Sequence, residues 1–218
     1  LLADQAAALS AAGLARLNVS LDALTEPAFE RLARRQGLAA VLAGLAAARA
    51  AGFLAIRINA VSIRGLTEAE IVPLAEFCRR EGFHLRFIEF MPLDAERSWA
   101  SDRVLTGAEV RAILTEAVGP LEPVPAGDPG QPAVDWSWAD GAGQVGFIDP
   151  VSNPFCDRCD RLRLTADGQF RNCLFSTQEW DVRGMLRGGG DDESIAMLLR
   201  ACVAAKHASH GIGSPAFL

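Results

Sequence analysis

Two rhythms of apolar and polar positions alternate along the first ninety or so residues. Residues 15–22, 55–63 and 85–91 are short, strongly apolar runs of strand length. Between them the apolar positions recur with helical spacing. Thr25 stands where a helix would start, with Pro27 in its first turn, and the helical pattern continues past a break near Gly37 to a stop at Gly52. Thr67 and Glu70 read as a capping box for a helix ending at Gly82. A further helix is expected over residues 2–12. Strand, helix, strand, helix, strand with short connections predicts a parallel sheet with right-handed crossovers, either an α/β layer or part of a barrel.

Polar residues interrupt these strands on one face. Asn18, Ser20 and Asp22 alternate with apolar neighbours, as do Arg57 and Asn59. In a barrel such inward positions meet a ligand, and otherwise they are hydrogen-bonded fillers or strand-end caps. After Met91-Pro92 the pattern changes. Thr106 with Glu109 opens a helix, Pro and Gly become frequent over residues 119–132, and residues 134–138 and 144–148 read as a hairpin through Asp140-Gly141. A second hairpin turn is expected at Asp167-Gly168, and a last helix over residues 193–206.

The chemistry concentrates in the stretch that follows the first hairpin. Cys156 and Cys159 are spaced C-x2-C, Arg161 and Arg163 flank Leu162, and the turn at Asp167-Gly168 would fold Cys173 back onto the first two thiols. Three thiolates can hold one metal or cluster and leave a coordination position open. In an extended strand the two arginines would present their guanidinium groups on one face, as a fork for phosphate or carboxylate. The residues alone also allow a structural zinc site completed by His207, His210 or Asp160. Cys78 and Cys202 lie in helical patterns and read as buried apolar fillers. His84, His207 and His210 are individually weak signals.

Composition narrows the classes. The chain has 218 residues, half of them hydrophobic, enough for a sizeable core, and a net charge of −6 that argues against general nucleic-acid binding. No apolar stretch is long enough to span a bilayer, and the first twelve residues, with Asp4 and no basic start, do not read as a signal peptide. A cytoplasmic chain is expected. Five cysteines, an odd number, favour ligation or free thiols over disulfides.

Four motifs in one order then carry a resemblance. Arg16-Leu-Asn-Val-Ser-Leu-Asp22, Ile56-Arg-Ile-Asn59, Arg86-Phe-Ile-Glu-Phe-Met-Pro92, and the Cys156-x2-Cys159 run through Gly168 with Cys173-Leu-Phe resemble the GTP 3′,8-cyclases, radical S-adenosylmethionine enzymes of molybdenum-cofactor biosynthesis. The resemblance runs from about Arg16 to the end. It implies a partial TIM barrel of radical-enzyme type over residues 1–94, followed by an α+β region over 95–218 that binds a [4Fe-4S] cluster and GTP. Cys156, Cys159 and Cys173 would hold the cluster, with one iron left for guanine. Arg161, Leu162, Arg163 and Arg57 would bind GTP, Arg57 standing where the family has lysine, and Ser20 and Met91 would contact S-adenosylmethionine. The implied reaction converts GTP to (8S)-3′,8-cyclo-7,8-dihydroguanosine 5′-triphosphate through a 5′-deoxyadenosyl radical. The implied partners are GTP and a downstream molybdopterin-precursor enzyme, with a homodimer left open.

The chain departs from that family twice. The C-x3-C-x2-C motif of a second, radical-generating [4Fe-4S] cluster occurs nowhere in the 218 residues, and the last residues lack a Gly-Gly tail. The expectation is a C-terminal fragment, poorly soluble and inactive alone. The alternative is a non-catalytic nucleotide-binding module built on iron–sulfur or zinc.

Overall fold

The computed structural model describes residues 1–93, 98–128, 130–210 and 212. It consists of two compact units, one formed by Leu1–Asp128 with Pro132–Asn153, the other by Pro129–Gln131 with Pro154–Leu218. The division expected between residues 94 and 95, and the chain end at 214–218, lie outside the described residues.

The first unit opens with α1 (Leu2–Ala11), β1 (Arg16–Ser20), α2 (Glu26–Ala33), α3 (Leu38–Ala50), β2 (Ala55–Ser62), α4 (Glu68–Glu81) and β3 (His84–Glu89). The three strands pair in parallel in chain order, the expected alternation. After α5 (Gly107–Ala117) come β4 (Leu121–Pro123), β5 (Val134–Trp138) and β6 (Gln144–Ile148). β5 and β6 form the expected hairpin, and β6 also pairs in parallel with β3, so the hairpin extends the first sheet. The order is β1-β2-β3-β6-β5-β4, a mostly parallel sheet with an antiparallel edge. Its core gathers one face of each strand, Ile56, Ile58, Leu85, Phe87, Val145 and Phe147, with Ile71, Leu74 and Cys78 of α4 and Val110 and Leu114 of α5. Burying each large side chain contributes about 1.5–3 kcal/mol. Cys78 is the filler expected, with a thiol pushed up to about 12 by burial.

Helix starts were only partly legible. Thr106 and Glu109 make a true capping box, each side chain bonded to the other's backbone. Thr67 does not: its hydroxyl turns back to Ile63, accepting from that amide at 2.8 Å and donating to its carbonyl at 3.2 Å, while Glu68 takes the Gly65 amide. The tight turn before α4 takes up the hydroxyl, and Thr67 makes no cap bond. Thr25 occupies the cap position of α2 without a side-chain bond. The next residue, Glu26, accepts the Gly37 and Leu38 amides and so caps α3. Gly37, at φ +119°, makes the break between the two helices.

The second unit holds β7 (Arg163–Leu164), β8 (Gln169–Arg171) and β9 (Trp180–Asp181) as a separate antiparallel sheet, then α6 (Val182–Arg187) and α7 (Asp192–Ala204). The Asp167-Gly168 hairpin is present, with Gly168 at φ +84°. β4, β9 and α6, three short elements, have no counterpart among the elements expected from sequence. Among the described residues no helix is long and apolar enough to cross a membrane.

Two carboxylates lie close together, one at the last residue of β3 and one just after β6. Glu89 is buried, and its oxygens accept the Val151 and Ser152 amides and the Ser152 hydroxyl. Asp149 takes the Gly107 amide at the start of α5; its carboxyl is pushed up to about 6, by burial and by the charge of Glu89, against that bond and Arg111. A group whose folded pKa exceeds its ordinary 3.8 holds more protons folded than unfolded between those values. Its contribution to stability is therefore full below about pH 4 and lost as pH rises through about 6. Asp149→Asn removes that loss: the variant should gain stability over wild type between pH 4 and 7 by on the order of 1 kcal/mol, the linkage being discounted for the solvent reaching the group. Denaturant unfolding at the two pH values checks this; a difference that does not change with pH refutes it.

Candidate functional site

In the first unit, strand register assembles a polar face. Ser20, Asn59, Arg86, Gly146 and Asp135 stand side by side across β1, β2, β3, β6 and β5, with Asn18, Arg57 and His84 in the neighbouring row. A parallel sheet is normally apolar on both faces, so this face is built for something polar. Arg86 is buried, 3.7 Å from Asp135, and His84 stands 3.2 Å from the same carboxylate. Burial lowers the pKa of Arg86, Asp135 raises it, and the like charge of Arg57 lowers it further, which places the two guanidinium groups within each other's field. A Cβ at Gly146 would stand 2.5 Å from Asp135 Oδ1 and 3.2 Å from Arg86 Cγ, so glycine lets the pair meet across β6. Asn59 Oδ1 is buried with no hydrogen-bond partner among the described residues. Asp22 is bound at a strand end, its Oδ1 accepting the Val61 amide at 2.8 Å. Ser20, at the end of β1, is exposed and Met91 half-buried.

In the second unit, Cys156, Cys159 and Cys173 are free, half-buried thiols lining one cavity of about 520 Å³ with Asn172, Phe175, Lys206, His207 and His210. A 3-10 turn over Cys156–Arg158 presents the first pair, and the β7–β8 hairpin returns the third. Burial pushes the Cys156 thiol up, the His210 amide bonded to it opposes this, and neighbouring Cys173 and Cys159 push the same way. At Cys159 burial is outweighed by bonds from the Arg161 amide and guanidinium and by the charges of Arg161 and Lys206, so its thiol lies below the ordinary value.

The arginine fork expected from sequence is not the observed geometry. β7 begins only at Arg163, so Arg161 precedes the strand, its guanidinium 4.8 Å from the Phe155 ring and 3.2 Å from Cys159 Sγ. Arg163 and Leu162 are exposed. The pull of a thiol and an aromatic face on one guanidinium is a local contact that strand alternation does not register.

Among the described residues no three Cys, His, Asp or Glu side chains form a ready metal cage. The donor set nonetheless fits an iron–sulfur centre: three soft sulfurs on one cavity, two of them already receiving N–H bonds. Of the cavity-lining candidates for a zinc reading, His207 and His210 are present, and His210 packs its ring 5.6 Å from Phe175. Three contributors were missed in the sequence. Arg86 was signalled by a cation inside an apolar strand, in step with Asn59. Lys206 was signalled by being the only lysine of the chain. Asn172, fully buried with its amide donated to the Cys202 carbonyl at 3.1 Å, had no signal beyond its place before Cys173.

A mixed α/β chain with three thiols on one cavity is the class defined so far. Residues 83–212 match the model of the family described as Molybdenum Cofactor Synthesis C, and the chain belongs to that family. It is 48% identical, over 219 aligned positions, to a GTP 3′,8-cyclase of Rhodopirellula baltica, and 47% identical over 221 positions to GTP 3′,8-cyclase 2 of Mycobacterium tuberculosis. A GTP 3′,8-cyclase of Mycolicibacterium smegmatis is 46% identical over 225 positions. All of this chain is covered in each case, and it spans 61% of the length of these curated relatives.

Asn172→Ala would leave the buried Cys202 carbonyl without its donor. A stability loss of about 1–2 kcal/mol is expected, read as a lower urea midpoint with unchanged slope. An unchanged midpoint would show that the bond contributes nothing.

Proposed function

We propose that this chain carries the GTP-positioning part of a GTP 3′,8-cyclase acting in molybdenum-cofactor biosynthesis. The observation that carries the reading is the cavity shared by Cys156, Cys159 and Cys173 within the stretch that matches the family model. The relatives named GTP 3′,8-cyclase support it. In this reading the functional division falls near residue 94, residues 1–94 forming part of a radical-enzyme barrel and 95–218 the cluster and GTP region. Cys156, Cys159 and Cys173 hold a [4Fe-4S] cluster, and Arg57, Arg161, Leu162 and Arg163 bind GTP. Ser20 and Met91 contact S-adenosylmethionine.

Each role follows from the residue's chemistry. Arginine meets phosphate oxygens with paired, fixed N–H donors, so Arg163, exposed at the start of β7, suits a triphosphate. Arg161 stabilises negative charge on Cys159 through its N–H bonds and so favours the ligating form. When bound, the cluster supplies an open iron position that orients guanine. Orientation of that kind can account for several kcal/mol of a ring-closure barrier. Radical generation needs a second cluster held by a C-x3-C-x2-C segment, which these 218 residues do not contain.

The test is iron, acid-labile sulfide and zinc per chain after anaerobic purification, for wild type and Cys156→Ala. About four iron and four sulfide in wild type, lost in the variant, support the cluster. One zinc and no sulfide would sink it.

A further inference from the structure

Arginine provides every cationic side chain of this chain but one. Lysine and arginine together number 21, and Lys206 is the only lysine. Surface ion pairs such as Arg49 with Glu81 and Arg64 with Glu109 draw on arginine. What sets position 206 apart is where its ammonium goes. Lys206 Nζ donates at 2.8 Å to the Arg161 carbonyl and at 2.8 Å to the Asn172 carbonyl. Arg161 lies two residues after Cys159, and Asn172 immediately precedes Cys173. One ammonium therefore bridges the two backbone segments that carry the thiols, at a half-buried position on the wall of the same cavity.

The geometry selects lysine. An ammonium is a compact centre whose three N–H bonds diverge from a single atom, so two carbonyls can converge on it. A guanidinium is longer, and its donors point outward from a plane as a fork suited to paired oxygens of one carboxylate or phosphate. Two main-chain oxygens from different segments, each 2.8 Å from one nitrogen, do not match that fork. Asn172 adds a second tie, since its side chain is bonded to the Cys202 carbonyl of α7, four residues before Lys206.

We propose that Lys206 is a positioning residue, a two-carbonyl clamp that sets the Cys156–Cys159 turn in register with Cys173, and that arginine cannot replace it. The proposal rests on the reading that the three thiols share one metal centre, and the test separates the two. Wild type, Lys206→Arg and Lys206→Met are reconstituted anaerobically with iron and sulfide. Iron release to a chelator is followed, and the reduced cluster is recorded by electron paramagnetic resonance. Both variants should release iron roughly tenfold or more faster than wild type, as loss of a supporting contact behind metal ligands does. Their spectra should shift alike, because the lost element is geometry rather than charge. Lys206→Arg that matches wild type in release and spectrum overturns the proposal.

Acetylation of folded, loaded wild type is the control against misfolding. Acetylation verified at the single ε-amine by mass spectrometry leaves Nζ one donor, with acetylated Lys206→Arg correcting for the α-amine. Accelerated release supports the clamp; unchanged release refutes it. If wild type takes zinc without sulfide, the cluster reading fails and the comparison is made on zinc release, where the same order of variants sustains the clamp and equal rates overturn it. A wild-type chain that takes neither metal overturns both.

Discussion

A carboxylate buried at the end of a strand must find donors, and Glu89 finds them on backbone 62 and 63 positions later, at the Val151 and Ser152 amides. An unpaired buried charge is strongly destabilising, so this closure is an obligation of the fold rather than an accessory. It ties the end of β3 to the loop that leaves β6, and those two strands are already neighbours in the sheet. The position of the chain just before the cysteine run is thereby set. It also bears on the neighbouring Asp149, whose charged form is disfavoured first by burial and further by the charge of Glu89.

The second organising constraint is that polar atoms are arranged by backbone hydrogen bonding to main-chain groups far away in sequence. Glu26 caps a helix not its own, Asp22 ties β1 to β2, and Lys206 joins two carbonyls beside the thiols. Each side chain satisfies groups that neither regular helix nor regular sheet could pair. The same logic holds the cavity of the second unit. Its wall is made by a short 3-10 turn and by the segments that follow β8 and α7, which lie outside the regular helices and strands.

Much of the first unit could be read directly from the chain. β1, β2 and β3 announced themselves as apolar runs, and the helices between them by spacing, because alternation and helical period are local properties. The cysteine constellation was also legible, since thiol spacing and the Asp167-Gly168 turn act over a few residues. The Thr67 cap was misread because the turn before α4 takes up its hydroxyl. The fork of Arg161 and Arg163 was misread because β7 proved too short to impose alternation. Arg86 was present in plain view within its strand, but its meaning depends on Asp135 and Gly146, which lie about fifty and sixty residues away.

The amino-acid sequence by itself determined the α/β rhythm, the thiol triad, the two arginines beside it and the absence of a second cysteine cluster among these residues. Only the tertiary structure decided that the hairpin joins β3 in parallel, that Arg86 meets Asp135 across Gly146, and that one lysine spans the two thiol-bearing segments. The physical reason is the range of the forces involved. Propensity and periodicity act between near neighbours, whereas strand partnership and the pairing of buried polar groups are settled only when distant segments compete for the same donors and the same buried space.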